Sequence, residues 1–416
     1  MRKILIVGAG QAGLQLAHGL LLAGGYEVTV MSQRLASEIR DGRVTSTQCM
    51  FGAALDLERR ALGVDLWPAA ESGHRIDGLG VSVPGPEEVP AINWLGRLSQ
   101  YAQSVDQRLK MAAWLELFAE RGGTVVINAA TVSDLDHLST LYDLVIVAAG
   151  KGDIVGLFDR NAELSPYSVA QRSLAVAYVH GVEPRGEHPD TTAVRLDLIP
   201  TVGELIVIPA VTTSGTCDIL FWEGIPGGPL DTFDQLADDP GAHLAHTLEL
   251  IRQFAPWEYE RCAAAELTDA GATLVGRYAP VVRKPIATLP SGRLALGIAD
   301  VVVANDPITG QGSNNASRAA DAYLTAILAH GDRPYDQAFM QAAFDSFWAK
   351  VAVCTTWTNA MLAPPPPHVL DILGAAAQHQ EIADRFANDF STPDDFADWL
   401  LDPIKAGTYL ADVAAR

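Results

Sequence analysis

The opening segment of the chain limits its fold more than any other stretch of the sequence. "KILIVGAG" is an apolar run of strand length, "LQLAHGLLLAGG" has helical periodicity and ends at glycines, and "YEVTVMS" is a second apolar strand. This order predicts a βαβ unit with parallel strands. Gly8, Gly10 and Gly13 follow the G-x-G-x-x-G pattern, in which glycines permit a tight turn and let the backbone approach a pyrophosphate. The segment therefore predicts a dinucleotide-binding domain.

The end of the second strand lacks the acidic residue that usually binds the adenosine ribose. Ser32, Gln33 and Arg34 occupy this position. We therefore expect a weaker grip on that side of the nucleotide, with Arg34 taking over part of the contact. The residues predicted to bind the cofactor in this region are Gly8, Gly10, Gln11, Ala12, Gly13, Ser32 and Arg34.

The pattern of the chain changes after this unit. "SLAVAYVHG", "GELIVIPAV" and "CDILFWEG" are typical of strands in a mixed or antiparallel sheet, and the segments from residue 313 onward are typical of helices. The prediction is an α/β fold with three parts. These are a discontinuous Rossmann-type domain (1–75, 97–165 and 286–330), an inserted substrate-binding domain (76–96 and 166–285) and a C-terminal helical segment (331–416) that packs over both.

Composition excludes several classes of function. Acidic residues outnumber basic ones 50 to 29, and the net charge of -21 disfavours nucleic acid and anionic membranes as partners. The four cysteines form no C-x-x-C pair, which argues against a zinc site or a disulfide framework and suits a reducing compartment. No apolar run reaches the roughly 20 residues of a membrane span, and no signal peptide precedes the first strand. We expect a cytoplasmic protein.

A second glycine-rich turn, "NDPITGQGSNN", lies at residues 305–315. A nicotinamide enzyme needs one such turn, whereas FAD runs across the fold and meets two. Asp300 ends the apolar segment "LALGIAD" and is placed to bind a ribityl hydroxyl, and Pro307 is predicted to press against the isoalloxazine. The helix that follows points its N–H groups at the edge where reduced flavin carries negative charge. The predicted flavin contacts are Asp300, Pro307, Gly310, Gln311, Gly312, Ser313 and Asn314.

A third motif of such flavoproteins, an Asp-Gly turn that helps to hold flavin and NAD(P)H, is missing. The corresponding strand reads "YDLVIVAAGKG", with Ala149 in place of the aspartate. Ser32 also lacks a carboxylate, so the pattern predicts loosely bound flavin and no nicotinamide site. Reduced FAD would then come from another protein.

The segments "VGAGQAGL", "VDQRL", "LYDLVIVAAGKG", "GELIVIPA", "DPITGQG" and "CTTWTN" together resemble the two-component styrene/indole monooxygenases over nearly the whole chain. The resemblance implies that an NADH-dependent flavin reductase supplies reduced FAD. It also implies that O2 adds at flavin C4a and that the distal peroxide oxygen attacks an electron-rich double bond. The cofactor supplies this chemistry, so we predict no catalytic side chain and no metal site.

The substrate is predicted from a short segment after the first domain's second strand. Ser46, Gln48 and Met50 alternate, so in a strand they share one face. In the resembled family, Ser, Gln and Met at these places look like the indole-preferring branch, and Ile76 and Ala102 belong to the same pattern. The predicted substrate is indole, with styrene slower. The resemblance also makes Arg43 and Arg108 candidate contacts for the flavin phosphates or ring edge.

Two other functions stay open at this stage. One is a single-component hydroxylase that binds FAD tightly and uses NAD(P)H itself, and the other is a non-catalytic flavin-binding redox partner. A flavin-dependent halogenase is disfavoured because the chain has no W-x-W-x-I-P segment. The sequence does not determine the oligomeric state, a homodimer included.

Overall fold

Two large β-sheets, one small two-stranded sheet and a set of helices make up the computed structural model, which describes residues 1–68, 75–85, 89–150 and 152–416. The strands are β1 (Arg2–Val7), β2 (Tyr26–Ser32), β3 (Ile76–Pro84), β4 (Pro90–Ala102), β5 (Thr124–Ile127), β6 (Leu144–Val147), β7 (Ser173–His180), β8 (Ala193–Ile199), β9 (Gly203–Thr212), β10 (Gly215–Gly224), β11 (Glu266–Leu267), β12 (Thr273–Gly276), β13 (Val281–Val282), β14 (Ile286–Thr288), β15 (Leu294–Gly297) and β16 (Val303–Ala304). The helices are α1 (Gln11–Ala23), α2 (Ala36–Arg40), α3 (Gly52–Leu62), α4 (Gln107–Glu120), α5 (Val132–Leu138), α6 (Pro240–Phe254), α7 (Pro256–Cys262), α8 (Gly312–His330), α9 (Gln337–Met361), α10 (Pro367–Ala376), α11 (Gln380–Asp389), α12 (Phe396–Trp399) and α13 (Pro403–Ala414).

The first sheet has the strand order β14-β15-β6-β1-β2-β5. β1 pairs with β2 in parallel, and β6 and β15 continue the parallel run on the other side. The four apolar residues at the end of β1 are buried, as are those of β6, because helices cover both faces. The predicted βαβ unit and α/β class are confirmed. The short β14 is antiparallel to β15 and forms one edge.

The second sheet has the order β11-β7-β10-β9-β8-β3-β4, with β12 also paired to β7. Its pairs are antiparallel except β3 with β8, which makes the sheet mixed. The predicted boundary at residue 96 falls inside β4, which stays paired with β3 as far as Ala102. A six-residue stretch that we assigned to the nucleotide-binding domain, 97–102, therefore belongs to the second sheet.

The C-terminal helices join the two sheets. α8 packs against α1 on the first sheet, α9 packs against α8, and α11 packs along β4 of the second sheet. Trp94 of β4 meets Phe386 of α11 edge to face, with ring centroids 5.5 Å apart. Trp357, near the end of α9, lies 4.8 Å from the ring of Phe390 in the second core. The helical segment thus packs over both sheets. No helix in the described part of the chain is long and apolar enough to cross a membrane.

Candidate functional site

The first glycine turn has the geometry of a diphosphate cradle. Gly8 has φ +121°, and a Cβ there would lie 2.7 Å from the carbonyl carbon of Ala148. A Cβ on Gly13 would lie 2.2 Å from the Gly8 carbonyl oxygen. A Cβ on Gly10, by contrast, would meet no atom within 4 Å, so open space lies before the N-terminus of α1. The first N–H groups of a helix lack intrahelical partners and attract anions, so the cradle fits a dinucleotide.

The side chains around this turn face the protein rather than the open space. Gln11 donates from Nε2 to Gln15 Oε1 at 3.1 Å and to Glu58 Oε2 at 3.0 Å. Glu58 also accepts from the buried Lys110 Nζ at 2.5 Å. Gln11 and the buried Ala12 therefore offer a phosphate their backbone N–H groups.

The predicted ribose side of the nucleotide site holds no carboxylate at the end of β2. The Ser32 hydroxyl is buried and donates to the Arg34 carbonyl at 2.6 Å, which closes a local turn. The Arg34 side chain is exposed. The contact of Arg34 with a nucleotide stays a prediction.

The second glycine turn is a short 3₁₀ segment, Pro307–Thr309, that leads into α8. The Asp306 carboxylate caps it by accepting from the Ile308 N–H at 3.2 Å. Gly310 has φ +62°, and a Cβ on it would meet no atom within 4 Å. A Cβ on Gly312 would likewise meet no atom within 4 Å, so the backbone of this turn borders open space that a flat ring can approach.

The side chains after the turn anchor it. Gln311 donates from Nε2 to the Phe390 carbonyl at 2.9 Å. Asn314 donates from Nδ2 to the Cys49 carbonyl at 2.8 Å, and its Oδ1 accepts from the Phe51 N–H at 2.9 Å. These two predicted flavin contacts instead fix the turn to the segment before α3 and to the end of α11. Ser313 is half-buried in the first turn of α8.

Asp300 lies between the two turns. It follows Ala299, a non-glycine residue with φ +51°, and its Cβ is 3.4 Å from where a Cβ on Gly150 would be. An alanine in the left-handed region costs about 1 kcal/mol or more and often marks a functional site. The exposed Asp300 thus stands at the carboxyl end of β6 and β15, as a ribityl contact requires.

A cavity connects the second turn with the second sheet. About 460 Å³ of space not filled by protein atoms lies between them, part of it open to solvent. Its walls come from the second turn, the segment before α3, the inner face of the second sheet and one C-terminal phenylalanine. The lining residues are Thr47, Gln48, Cys49, Phe51, Leu79, Val194, Leu196, Ile206, Ile208, Phe221, Pro307, Ile308, Thr309, Gly310 and Phe390.

The structure corrects the predicted strand that carries Ser46, Gln48 and Met50. Residues 43–49 form no strand, and Met50 makes only an isolated bridge to Gln103. Gln48 lines the cavity, whereas Met50 packs away from it in a small cluster with α3. Alternate residues share one face only where the backbone is extended and paired, so the three side chains do not share a face here.

Gln48 belongs to a buried polar group beside the cavity. Its Nε2 donates to Tyr178 Oη at 3.3 Å and reaches Ser104 Oγ at 3.5 Å. Ser46 Oγ is 3.5 Å from Gln48 Oε1, and Tyr178 Oη donates to the Ser46 carbonyl at 3.0 Å. Burial raises the pKa of Tyr178 well above its ordinary value, so the phenol stays a neutral donor. The Gln48 oxygen has a single long contact and can accept from a ligand.

Ile76 and Ala102 pair across β3 and β4 and are fully buried in the second core. They do not line the cavity; of the two strands that carry them, β3 contributes Leu79 to its wall. Their predicted role in substrate choice is therefore a role in shaping the sheet behind the wall.

The side-chain N–H groups of Arg108 all donate to other protein groups, which leaves none for a phosphate. Its Nε donates to Asp106, its Nη1 to Gly42 O and Asp269, and its Nη2 to Thr212 and Asp269. These bonds account for all the N–H groups of a guanidinium. Arg108 therefore joins α4 to the second sheet.

Arg43 is half-exposed and reaches the Ala237 carbonyl at 2.7 Å and the Asp238 carboxylate at 3.6 Å. The contact of Arg43 with a flavin stays a prediction.

Sequence reasoning missed the sheet residues that form most of the cavity wall. Ile206 and Ile208 of β9 and Phe221 of β10 point to the same side of the second sheet. The alternation in "GELIVIPAV" and "CDILFWEG" signals two distinct faces. It does not say which face meets the turn at Pro307, because that pairing depends on distant segments.

Sequence comparisons identify close relatives over the whole length of the chain. Residues 150–261 match the family described as "Styrene monooxygenase A putative substrate binding domain". This match overlaps the predicted inserted segment 166–285. Styrene monooxygenase StyA from Pseudomonas sp is 33% identical over 422 residues, covering 99% of this chain and 98% of that protein.

Solved structures with the same fold include flavoproteins. A flavoprotein/dehydrogenase from Cytophaga hutchinsonii aligns with a TM-score of 0.68 at 12% identity over 100% of both chains. The flavin-dependent brominase Bmp2 aligns with a TM-score of 0.66 at 13% identity, covering 93% of this chain and 92% of that one. At these identities the likeness concerns the fold alone. The relative at 33% identity, which spans nearly the whole chain, shows that the chain belongs to the styrene monooxygenase family.

Proposed function

We propose that this chain is the oxygenase component of a two-component flavoprotein monooxygenase that epoxidises indole and styrene-like alkenes. The observation that carries the proposal is the composition of the cavity wall. Pro307 and Gly310 of the second glycine turn face the same space as Gln48 and the apolar side of the second sheet. An aromatic substrate in this space lies directly against the turn.

FAD is the cofactor of the proposed reaction. The open space at Gly10 suits its diphosphate, Asp300 suits its ribityl chain, and the bare backbone at Gly310 and Gly312 suits its ring. Reduced FAD, when bound, would supply the two electrons that activate O2, so that one oxygen atom goes to the alkene and the other leaves as water. The N-terminus of α8 stabilises negative charge near the turn.

The protein positions the alkene and keeps water away from it. Leu196, Ile206, Ile208 and Phe221 make an apolar wall that excludes water from the reacting alkene. Phe390 also lines the cavity, and its ring meets Trp357 edge to face.

The preference for indole rests on Gln48. Gln48 lines the cavity, and its amide oxygen has a single long contact, so in this proposal it accepts a hydrogen bond from the indole N–H. Styrene has no such donor and leaves the amide oxygen unpaired. An unpaired buried acceptor costs about 1–3 kcal/mol, so indole is the better substrate.

An NADH-dependent flavin reductase supplies the reduced FAD in this proposal. Ser32 stands where an acid usually binds the adenosine ribose, and its hydroxyl bonds the Arg34 carbonyl instead. Ala149 stands where an aspartate usually helps to hold flavin and NAD(P)H. The proposal also places the chain in the reducing cytoplasm in which such a reductase works, because its sequence contains no C-x-x-C pair.

Oxygen consumption with chemically reduced FAD tests the proposal. The purified chain is mixed with reduced FAD, O2 and indole or styrene, with indoline and ethylbenzene as matched substrates that lack the double bond. We expect oxygenated product from indole and styrene only, and none from NADH and FAD without a reductase. Product from NADH and FAD alone would establish a single-component enzyme. Flavin binding without product from any alkene would establish a non-catalytic flavin-binding protein.

A further inference from the structure

Two carboxyl groups meet behind the second glycine turn. Glu223 lies near the end of β10, two residues after Phe221 and on the same face of the strand, and it is 0% exposed. Asp306 is 2% exposed and directly precedes Pro307, which lines the cavity. The side chains of Glu223 and Asp306 are in hydrogen-bonding contact. The pair therefore links the second sheet to the turn.

The usual donors do not satisfy this pair. Within the described residues, no N–H or O–H group donates to either oxygen of Glu223. The nearby guanidinium of Arg172 binds Glu204 through Nε at 2.7 Å and Nη2 at 2.9 Å. Asp306 accepts from the Ile308 N–H at 3.2 Å. Two ionised carboxylates are acceptors and cannot bond to each other, so their contact requires a proton between them.

The charge balance around Glu223 leads to the same result. Glu204 faces it from β9, Asp306 faces it from the turn, and Arg172 lies just before β7. Tyr278 also faces the group, but its phenol donates to the Asn305 carbonyl and burial keeps its pKa well above the ordinary value. Three ionised carboxylates beside one guanidinium would leave uncompensated buried charge, which is expensive. One carboxyl therefore keeps its proton.

We propose that Glu223 is a positioning residue: its protonated carboxyl donates a hydrogen bond to the Asp306 carboxylate and thereby holds the Pro307–Gly310 turn in place for the flavin. The proposal rests on the proposed function, because it takes this turn to be the flavin site. Glu223 acts through Asp306 and Pro307, and it does not itself line the cavity.

The pair makes both the fold and the flavin site sensitive to pH. Burial, followed by the charges of Asp306 and Glu204, raises the pKa of Glu223 well above its ordinary value. Burial raises the pKa of Asp306 to about 6. A folded chain with raised carboxyl pKa values binds more protons than the unfolded chain, so its stability falls as pH rises from the unfolded pKa through the folded one. Above that range the two carboxylates repel and the turn loosens.

Glu223→Gln tests whether the proton of Glu223 positions the turn, or whether Glu223 is merely a buried side chain. A Gln amide donates to Asp306 as the protonated carboxyl does, but it does not titrate. Thermal unfolding of the flavin-free protein and the affinity for reduced FAD under nitrogen are measured from about pH 5 to about pH 9. The wild type should lose unfolding temperature and affinity as pH rises, and Glu223→Gln should flatten both losses. Glu223→Leu, which offers Asp306 no donor, should weaken flavin binding by about tenfold at every pH, the factor equal to 1.4 kcal/mol.

Asp218→Asn is the matched control. Asp218 lies on the same strand, burial raises its pKa to about 6, and it points to the face of the sheet away from the cavity. The control should change the pH dependence of unfolding and leave that of flavin affinity unchanged. If Glu223→Gln does not fold, Asp306→Asn tests the proposal in its place. This variant removes the other carboxyl of the pair, so it should also flatten the pH dependence of unfolding.

Two outcomes would overturn the proposal. A wild-type pH profile of unfolding in Glu223→Gln would show that the pair shares no proton. A flattened unfolding profile with unchanged flavin affinity would show that the pair does not position the turn. If the wild type binds no flavin at any pH, the proposed function fails, while the unfolding measurement still decides whether the proton is shared.

Discussion

Gln48 puts a hydrogen-bonding amide in a cavity wall that is otherwise mostly apolar. It is 3% exposed, and its contacts with Tyr178 and Ser104 are 3.3 Å and 3.5 Å long. Both of these bonds are donated by Nε2, whereas the amide oxygen accepts a long bond of 3.5 Å from Ser46 Oγ, so a ligand N–H can compete for that oxygen. The proposed substrate preference therefore rests on Gln48 rather than on the alternating set of three.

Gln48→Val should shift the preference of the enzyme from indole toward styrene. The change removes the acceptor for the indole N–H and adds apolar surface. Loss of a buried acceptor of about 1–3 kcal/mol corresponds to roughly 5- to 150-fold in the ratio of kcat/KM for indole to that for styrene. Competition between the two substrates in one reaction measures this ratio directly.

Met50→Leu is the control for that substitution. Met50 is 1% exposed but packs with Ala54 and Leu55, outside the cavity. A volume-conserving change there should leave the ratio within about twofold. A Met50→Leu effect as large as that of Gln48→Val would place substrate choice outside the cavity wall.

At the scale of elements, two turns and the helices after them carry the cofactor site. Both turns were predictable because a strand, a glycine pattern and a helix are contiguous in sequence. The path of segment 43–49 was not predictable, because it is set by contacts with Asn314 and Gly271, which are far away in sequence. The parallel pairing of β3 with β8 was likewise unpredictable, because it joins segments more than a hundred residues apart.

Gly310→Val should block flavin binding without unfolding the protein. Gly310 adopts φ +62° and ψ 20°, and its missing side chain points into open space at the cavity. A β-branched residue costs about 1–2 kcal/mol in this left-handed conformation, and its methyl groups occupy the place of the ring. We expect at least a tenfold weaker affinity for reduced FAD, equal to about 1.4 kcal/mol. Fluorescence titration under nitrogen measures it.

Gly63→Val separates backbone strain from loss of the site. Gly63 ends α3 with nearly the same backbone angles, φ 68° and ψ 12°, and a Cβ there would meet only Leu22 at an ordinary 3.4 Å. The two variants should lose similar unfolding free energy in urea. Equal flavin affinity in both would mean that the second turn does not face the ring.

At the scale of the whole molecule, the site depends on parts distant in sequence. The first sheet brings the diphosphate cradle, the second sheet brings the cavity wall, and the C-terminal helices bring Phe390. Arg108 ties α4 to the second sheet by donating from Nη2 to Thr212 of β9 at 3.1 Å, and it also binds Asp269, which lies between β11 and β12, at 2.9 Å. An arginine predicted to bind the cofactor thus holds the two halves of the site in register.

The central proposal for the whole molecule is that this chain transfers oxygen from O2 to an alkene when reduced FAD is supplied from outside. A single turnover with oxygen-18 gas tests it most directly. The chain is loaded with chemically reduced FAD under nitrogen and then mixed with labelled O2 and styrene, and the styrene oxide is analysed by mass spectrometry. The account predicts labelled styrene oxide without NADH or a reductase. Unlabelled product, whose oxygen comes from water, or product that requires NADH together with this chain would contradict it.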